Sequence, residues 1–228
     1  MASIRKSSTL ADYQNFIQNV YAVPDDRFFS LEDIITNQQR FTMRALKGIR
    51  KNDLEKLEYN LCIAFSWLMA VCNRLHINLD DAILKRFPNS CSYCYMPTCI
   101  CKKEKYEKSK RKKASPVKNI KKIEDFQKMF ERIYPASKRT PEDAGIHLAE
   151  EMGELNESIN VYFGEHMQRE CMDIEVEIAD YISCLFGLAN SFNFEISKKL
   201  SEMYHKNCHV CQKIPCICTY SYVTRFKS

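Results

Sequence analysis

The sequence is poor in residues that interrupt helices: it has only five glycines and seven prolines among 228 residues. A β-protein with many tight turns uses both residue types at defined turn positions, so these small numbers argue against that class. No stretch of useful length alternates apolar and polar residues as a half-buried strand does. These absences exclude a many-turned β-protein and predict an all-α fold built from helix hairpins and bundles.

The sequence also lacks the apolar segments that direct a chain into or across a membrane. Residues 1–10 contain no apolar core of the kind that a signal peptide has. Residues 61–72 form the longest apolar run, which is about half of the roughly 20 residues that a membrane span needs. Since 45% of the residues are hydrophobic, we expect a globular, soluble, cytoplasmic protein with no membrane partner.

Positive charge is present in only modest excess, and much of it is local. The formal net charge is +5 at pH 7, and Lys and Arg are dense in residues 102–122, which include Lys110–Lys113. Such a run is usually a solvated linker; the alternative is a contact with nucleic acid or polyphosphate. Tyr106 is its one aromatic residue, so base stacking is poorly supported and nucleic acid is not the favoured partner.

Cysteine is abundant, and eight of the twelve cysteines form two clusters with the same internal spacing. The clusters are Cys91-x2-Cys94-x4-Cys99-x-Cys101 and Cys208-x2-Cys211-x4-Cys216-x-Cys218. This spacing matches an all-cysteine zinc site, which is structural because it has no open coordination position. Disulfides fit an intracellular protein poorly, whereas spacing alone does not exclude an iron–sulfur cluster. We therefore expect two structural Zn²⁺ ions.

The two clusters belong to an internal repeat. They are separated by 117 residues at every cysteine, and the same separation joins scaffold residues such as Leu68 and Leu185. Nearer the start of the chain the separation is 113 residues, as between Tyr21 and Tyr134. The chain is therefore predicted to contain two copies of a unit of about 105 residues. The predicted domains are a first unit with its zinc knuckle at 1–101, the basic linker at 102–122, and a second unit with its zinc knuckle at 123–228.

Each copy is predicted to form a helix, a long helix hairpin and a short helix before the cysteines, giving a four-helix-bundle-type core. Ser30 is the predicted N-cap of the second helix and Asn52 of the third, and Pro141 suits a first helical turn. The predicted helices are 10–21, 31–49, 53–75 and 80–87 in the first copy, and 123–134, 142–163, 170–192 and 195–205 in the second.

Two carboxylate pairs mark the hairpin of the second copy: Glu151 with Glu154, and Glu177 with Asp180. Residues three apart share a helix face, so two antiparallel helices would direct all four acids to one point. Acids on helices are often plain surface residues, but these border apolar stripes, where charges need a partner or a metal. Oxygen ligands of this kind favour Mg²⁺ or Mn²⁺.

The first copy lacks all four acids. The repeat aligns them, in chain order, with Ile34, Asn37, Asn60 and Ile63. The scaffold residues and the cysteines meanwhile stay in register. One copy therefore carries a charged site that the scaffold itself does not require.

Residues 147–155 (HLAEEMGEL) and 177–182 (EIADYI) resemble the ExxE…ExxD signature of the all-α NTP pyrophosphohydrolases, the MazG-like superfamily. The following residues 188–196 resemble the next turn and short helix of that family, and Asn207 lies where members often place a substrate-contacting asparagine. The resemblance covers about residues 125–207 well and the first copy only as a degenerate version. The cysteine clusters are not part of the usual family core.

The resemblance implies hydrolysis of an NTP or dNTP to the monophosphate and pyrophosphate. Mg²⁺ would be held by the acidic quartet, and Glu150 or Glu151 would orient or deprotonate the attacking water. Lys138, Arg139 and Lys206 are candidate phosphate contacts. The family builds its active site from helices of two protomers, so the tandem copy or a homodimer would complete it. The alternative function is a zinc-knuckle module that binds nucleic acid or regulates, with a vestigial carboxylate site.

Overall fold

The structure, a computed structural model, describes residues 2–101 and 120–219. Within these ranges all regular structure is helical and no strand occurs, which confirms the predicted all-α class. The predicted basic linker lies mostly outside the described residues, as do Lys110–Lys113. None of the helices in the described ranges is both long and apolar enough to cross a membrane. The helices are α1 (Leu10–Phe28), α2 (Leu31–Lys51), α3 (Leu54–Arg74), α4 (Leu79–Arg86), α5 (Ile123–Ile133), a 3-10 turn (Ala136–Lys138), α6 (Pro141–Glu165), α7 (Gln168–Ser191) and α8 (Ile196–Met203).

Two of the three predicted helix-start signals are confirmed. Ser30 caps α2 by accepting a hydrogen bond from the backbone N–H of Asp33, and Pro141 is the first residue of α6. The third is wrong by one residue. Asn52 ends α2 in the left-handed conformation that asparagine tolerates, and Asp53 accepts the N–H of Lys56 as the cap of α3.

Helix α1 continues beyond its predicted end at residue 21 to Phe28, although it contains Pro24. Proline has no N–H, so Pro24 leaves the carbonyl of Val20, four residues earlier, without its helical donor. The backbone N–H of Cys216 supplies the missing bond at 2.7 Å. The donor comes from the far end of the sequence, which is why the local pattern did not predict this helix length.

The described chain forms two compact units whose boundaries differ from those of the two sequence repeats. The first unit comprises Met1–Asn78 with Glu195–Ser228, and the second unit is Leu79–Phe194. Each unit therefore holds the long hairpin of one repeat and the short helix and cysteine cluster of the other. The assignment of the repeats as tandem MazG-like domains remains a prediction.

A single central helix organises each unit. In the first unit, α3 contacts α1, α2 and α8, and in the second unit α7 contacts α4, α5 and α6. Both central helices are exposed near their N-terminal ends and largely buried beyond them, with residues such as Leu61 and Phe65 in α3 and Ile178 and Tyr181 in α7 fully enclosed. Only two residues, His166 and Met167, separate α6 from α7, which makes these helices antiparallel neighbours. The acidic residues of both helices therefore lie on facing surfaces.

Candidate metal centres and active site

Three of the four predicted acids converge in the second unit. Glu151 of α6 and Glu177 and Asp180 of α7 each offer a carboxylate oxygen, and these oxygens all lie within 4.8 Å of one another. Glu177 and Asp180 are one helical turn apart and so share a face of α7. Glu154, the fourth predicted acid, is exposed and is not in this group. The structure thus brings together a carboxylate trio, which we define as Glu151, Glu177 and Asp180.

Burial and mutual repulsion make the carboxylate trio reluctant to ionise completely. Burial is the main reason why the pKa of Glu151 is raised to about 7, with further contributions from Asp180 and Glu154. The pKa of Glu177 is raised to about 7 for the same reasons in the same order. Each of these two glutamates also has a buried oxygen, Oε2, with no hydrogen-bond partner among the described residues. Oxygens in this state fit a bound cation, which would both pair with them and relieve the repulsion.

One cation from the chain already contacts the carboxylate trio. Arg86 at the end of α4 donates hydrogen bonds to Asp180 from Nε at 3.0 and 3.1 Å and from Nη2 at 2.7 Å. Burial alone would lower the pKa of Arg86, but its bonds to Asp180 raise it above the ordinary value. The Arg86 side chain is 23% exposed and that of Asp180 13%. One positive charge therefore faces three acids, and the trio remains negative overall.

The carboxylate trio opens into a pocket of about 550 Å³ within the second unit. Glu151 and Asp180 line it, together with Lys138 and Arg139. The remaining wall is formed by part of the first cysteine cluster and by the aromatic residues around it: Phe87, Tyr93 and Tyr134. Glu150, the other predicted catalytic acid, is exposed and does not line this pocket.

Of the two predicted phosphate contacts in this pocket, Arg139 is the more firmly placed. Its Nη2 donates to the carbonyl of Tyr134 at 3.4 Å, and its buried Nε has no hydrogen-bond partner in the described part of the chain. Gly187 of α7 makes room for it, because a Cβ at that position would lie 2.9 Å from the Arg139 Cζ. Lys138 lies beside it and is exposed. Arg139 thus lines the pocket with a side chain that is held in place by contacts with Tyr134 and Gly187.

The other two predicted substrate contacts belong to the first unit and do not line this pocket. Lys206 is exposed. Asn207 is buried, and its side chain accepts the Ala2 N–H at 2.9 Å and donates to the Gln212 carbonyl at 3.1 Å. The structure therefore uses the Asn207 amide to fix backbone, and substrate binding by either residue remains a prediction.

Each cysteine cluster forms a compact thiol group that could hold a metal ion, consistent with zinc. The four sulfurs of each cluster lie within 4.8 Å of one another, and none of the twelve cysteines is in a disulfide. The Cys91–Cys101, Cys208–Cys218 and Cys211–Cys216 sulfurs are each 3.8 Å apart. Zinc–sulfur bonds of about 2.3 Å in a tetrahedron place the sulfurs about 3.8 Å apart. The sulfur spacing thus fits one tetrahedral ion in each cluster.

Both clusters are anchored by the same two contacts. A tyrosine reaches the first cysteine: the Tyr134 hydroxyl donates to the Cys91 sulfur at 3.4 Å, and Tyr21 helps to lower the pKa of Cys208. In the first cluster the N–H of Cys99 donates to the Ile133 carbonyl at 2.8 Å, as Cys216 does to Val20 in the second. A hydrogen bond from Cys216 is the main reason why the pKa of Cys208 falls to about 4, and a thiolate is the form that binds metal.

In the first unit, the positions that the repeat aligns with the four acids are occupied by buried apolar and amide side chains. Ile34 and Ile63 are 1% and 5% exposed. Asn37 and Asn60 are buried too, and each donates its amide N–H to a carbonyl four residues earlier in its own helix. Met203, the repeat equivalent of Arg86, packs against the core cluster that contains Ile63. An apolar pair thus replaces the Arg86–Asp180 ion pair.

Sequence reasoning missed Arg86, which is the closest cationic partner of the carboxylate trio. The separation of 117 residues aligns Arg86 with Met203 and Asp180 with Ile63, so both positions change from charged to apolar together. That paired change in the sequence indicated that Arg86 and Asp180 are in contact. It was hidden because Arg86 and Asp180 come from different repeats.

Comparison of the chain with protein-family models, with curated proteins and with solved structures finds no match. The resemblance to the MazG-like superfamily therefore depends on the sequence motifs alone.

Proposed function

We propose that the second unit is a Mg²⁺-dependent nucleoside triphosphate pyrophosphohydrolase, which cleaves an NTP or dNTP to the monophosphate and pyrophosphate. The supporting observation is the carboxylate trio, whose oxygens lie within 4.8 Å of one another and include two buried atoms with no partner among the described residues. A fold that needed these acids only for stability would pair them, because an unpaired buried carboxylate is costly.

The pocket has the size and the charge distribution that such a substrate requires. Its volume of about 550 Å³ lies in the range of about 300–1,000 Å³ that is typical of small-molecule sites. Arg139 and Lys138 supply positive charge on the wall beside the acids. Guanidinium and ammonium donors match phosphate oxygens, so these residues would bind the phosphate chain.

The trio would hold the Mg²⁺ ion, which when bound neutralises charge on the phosphate oxygens and assists in-line displacement. Glu151 is the better placed of the two predicted bases, because it lines the pocket whereas Glu150 is exposed. A Glu151 oxygen that the metal does not occupy would orient the attacking water and accept its proton. Arg86 would offset part of the negative charge by keeping Asp180 paired. Arg139 would bind phosphate oxygens from its place in the pocket wall.

The direct test is pyrophosphate release from each ribo- and deoxyribonucleoside triphosphate in the presence of Mg²⁺. We expect at least one substrate to be hydrolysed, and Glu177→Gln to lower turnover by about 100-fold or more. Glu157→Gln is the matched control, because Glu157 is exposed on α6 and outside the trio. The proposal fails if no triphosphate releases pyrophosphate, or if Glu177→Gln retains the activity of the control variant.

A further inference from the structure

The first cysteine cluster forms part of the wall of the carboxylate pocket. Tyr93 lies between the cluster residues Cys91 and Cys94, and it lines the same pocket as Glu151 and Asp180. Tyr93 is nevertheless 52% exposed. The loop of the first cysteine cluster thus carries the Tyr93 ring into the pocket wall, and the four cysteines would fix that loop.

The other two rings of that wall are occupied by the protein interior. Phe87 is 1% exposed and packs edge-on against Phe130 and Tyr134, at centroid distances of 5.2 and 6.3 Å. Tyr134 uses its hydroxyl to bind the Cys91 sulfur. Of the three aromatic residues in this wall, Tyr93 is the one with a largely exposed side chain.

The Arg86 guanidinium lies over the Tyr93 ring and also bonds to the carboxylate trio. The Cζ of Arg86 lies 5.3 Å from the centroid of the Tyr93 ring, while its nitrogens bind Asp180. A ligand that reaches the acids with its phosphates therefore has an aromatic surface beside it for its other end. Such a ring recognises the π-face of any nucleobase.

The first unit supports this assignment by contrast. The residue that the repeat aligns with Tyr93 is Val210, so the first unit has no aromatic ring at this position. The acids are absent from the same unit. The acids and the aromatic residue at this repeat position thus occur together in one unit and are both absent from the other.

On these grounds, and resting on the proposed function, we propose that Tyr93 stacks on the nucleobase of the bound triphosphate. The first cysteine cluster then has a second role beside its structural one, because it carries a substrate-binding residue. Stacking tolerates different bases, so Tyr93 contributes affinity for a base-bearing substrate without selecting among bases.

The test compares full-length wild-type protein with Tyr93→Val, which installs the residue of the first unit, and with Tyr93→Phe, which keeps the ring. The ligands are the α,β-imido analogues of ATP, GTP, CTP and UTP, titrated calorimetrically with Mg²⁺. Inorganic tripolyphosphate, which has no base, is the control ligand. Zinc content and circular dichroism establish that each variant is folded, and Tyr93→Leu replaces Tyr93→Val if the latter loses metal.

We expect Tyr93→Val to weaken binding of the best analogue by about ten-fold, with Tyr93→Phe within about two-fold of wild type. Tripolyphosphate should bind all three proteins equally. If the wild-type protein and a folded variant without the ring bind the analogue with equal affinity, the role of Tyr93 is overturned. This holds even when wild-type protein hydrolyses triphosphates. Equal weakening for tripolyphosphate overturns it too, because the loss would not depend on the base. If wild-type protein neither binds nor hydrolyses any nucleotide, the proposed function and this inference fail together.

Discussion

The Arg86–Asp180 ion pair allows a quantitative test of how the charged unit is held together. We consider Arg86→Met, which introduces the residue of the first unit, and the double variant Arg86→Met with Asp180→Ile, which reproduces the whole apolar pair of Met203 and Ile63. The single variant leaves Asp180 without its partner beside two other acids. The double variant removes both charges.

The expected magnitudes follow from the geometry. Two unit charges about 4 Å apart interact by about 4 kcal/mol at an effective dielectric constant of about 20, which sets an upper limit. Removing one partner of a buried pair costs about 3–5 kcal/mol, and the partial exposure of Arg86, 23%, reduces this cost. We expect Arg86→Met to lower the free energy of unfolding by about 2–3 kcal/mol, and the double variant to lie within about 1 kcal/mol of wild type.

The assay is urea denaturation followed by circular dichroism, in buffer without Mg²⁺ and without chelator, so that the cysteine sites keep their metal. The control is Lys85→Met, because Lys85 pairs with Glu175 in an exposed ion pair worth no more than about 1 kcal/mol. Adding Mg²⁺ should restore more than half of the loss in Arg86→Met, since the ion would replace the missing positive charge. The reasoning is refuted if Arg86→Met and Lys85→Met are equally stable, or if the double variant is no more stable than Arg86→Met.

Two further predictions concern pH and metal. Burial raises the pKa of Asp25 to about 7, partly opposed by Arg74. Because this folded-state pKa is above the unfolded value of about 4, ionisation of Asp25 destabilises the folded protein increasingly as the pH rises from about 4 to about 7. The unfolding free energy of wild type relative to Asp25→Asn should therefore rise by about 2 kcal/mol between pH 8 and pH 5; a pH-independent difference contradicts this. Metal analysis should find two zinc ions per chain. Cys94→Ser and Cys211→Ser should each remove one zinc ion and lower the urea midpoint of unfolding. Unchanged metal content in either variant contradicts the assignment of zinc to that cluster.

The sequence predicted the local features well, because they depend on neighbouring residues. The apolar periodicity located each α-helix in the described part of the chain, and Ser30 and Pro141 act as the start signals that their residue types favour. The carboxylate trio could be predicted because helical spacing alone places Glu177 and Asp180 on one face. What failed locally was the end of α1, where a backbone donor almost two hundred residues away completes the helix around Pro24.

The arrangement of the repeats could not be predicted in the same way. Spacing shows that α4 and α8 are equivalent, but it does not show which hairpin each helix packs against. Both choices bury the same apolar residues, such as Leu79 and Ile83 in α4. The predicted substrate contacts Lys206 and Asn207 follow α8, so they belong to the first unit and not to the unit that holds the acids. Arg86, at the end of α4, belongs by the same exchange to the unit that holds the acids.

This exchange of short helices has a consequence for how the protein is made. The first unit needs α8 to cover α3, and Tyr204, just after α8, binds the buried Ser66 hydroxyl at 2.6 Å. A ribosome adds about 5–20 residues per second, so residue 204 follows the end of α3 by about 6–25 s. During that interval α3 can pack against α1 and α2, but the part of its surface that α8 covers has no native partner. The native core of the first unit is therefore completed only when translation of the second half is almost finished.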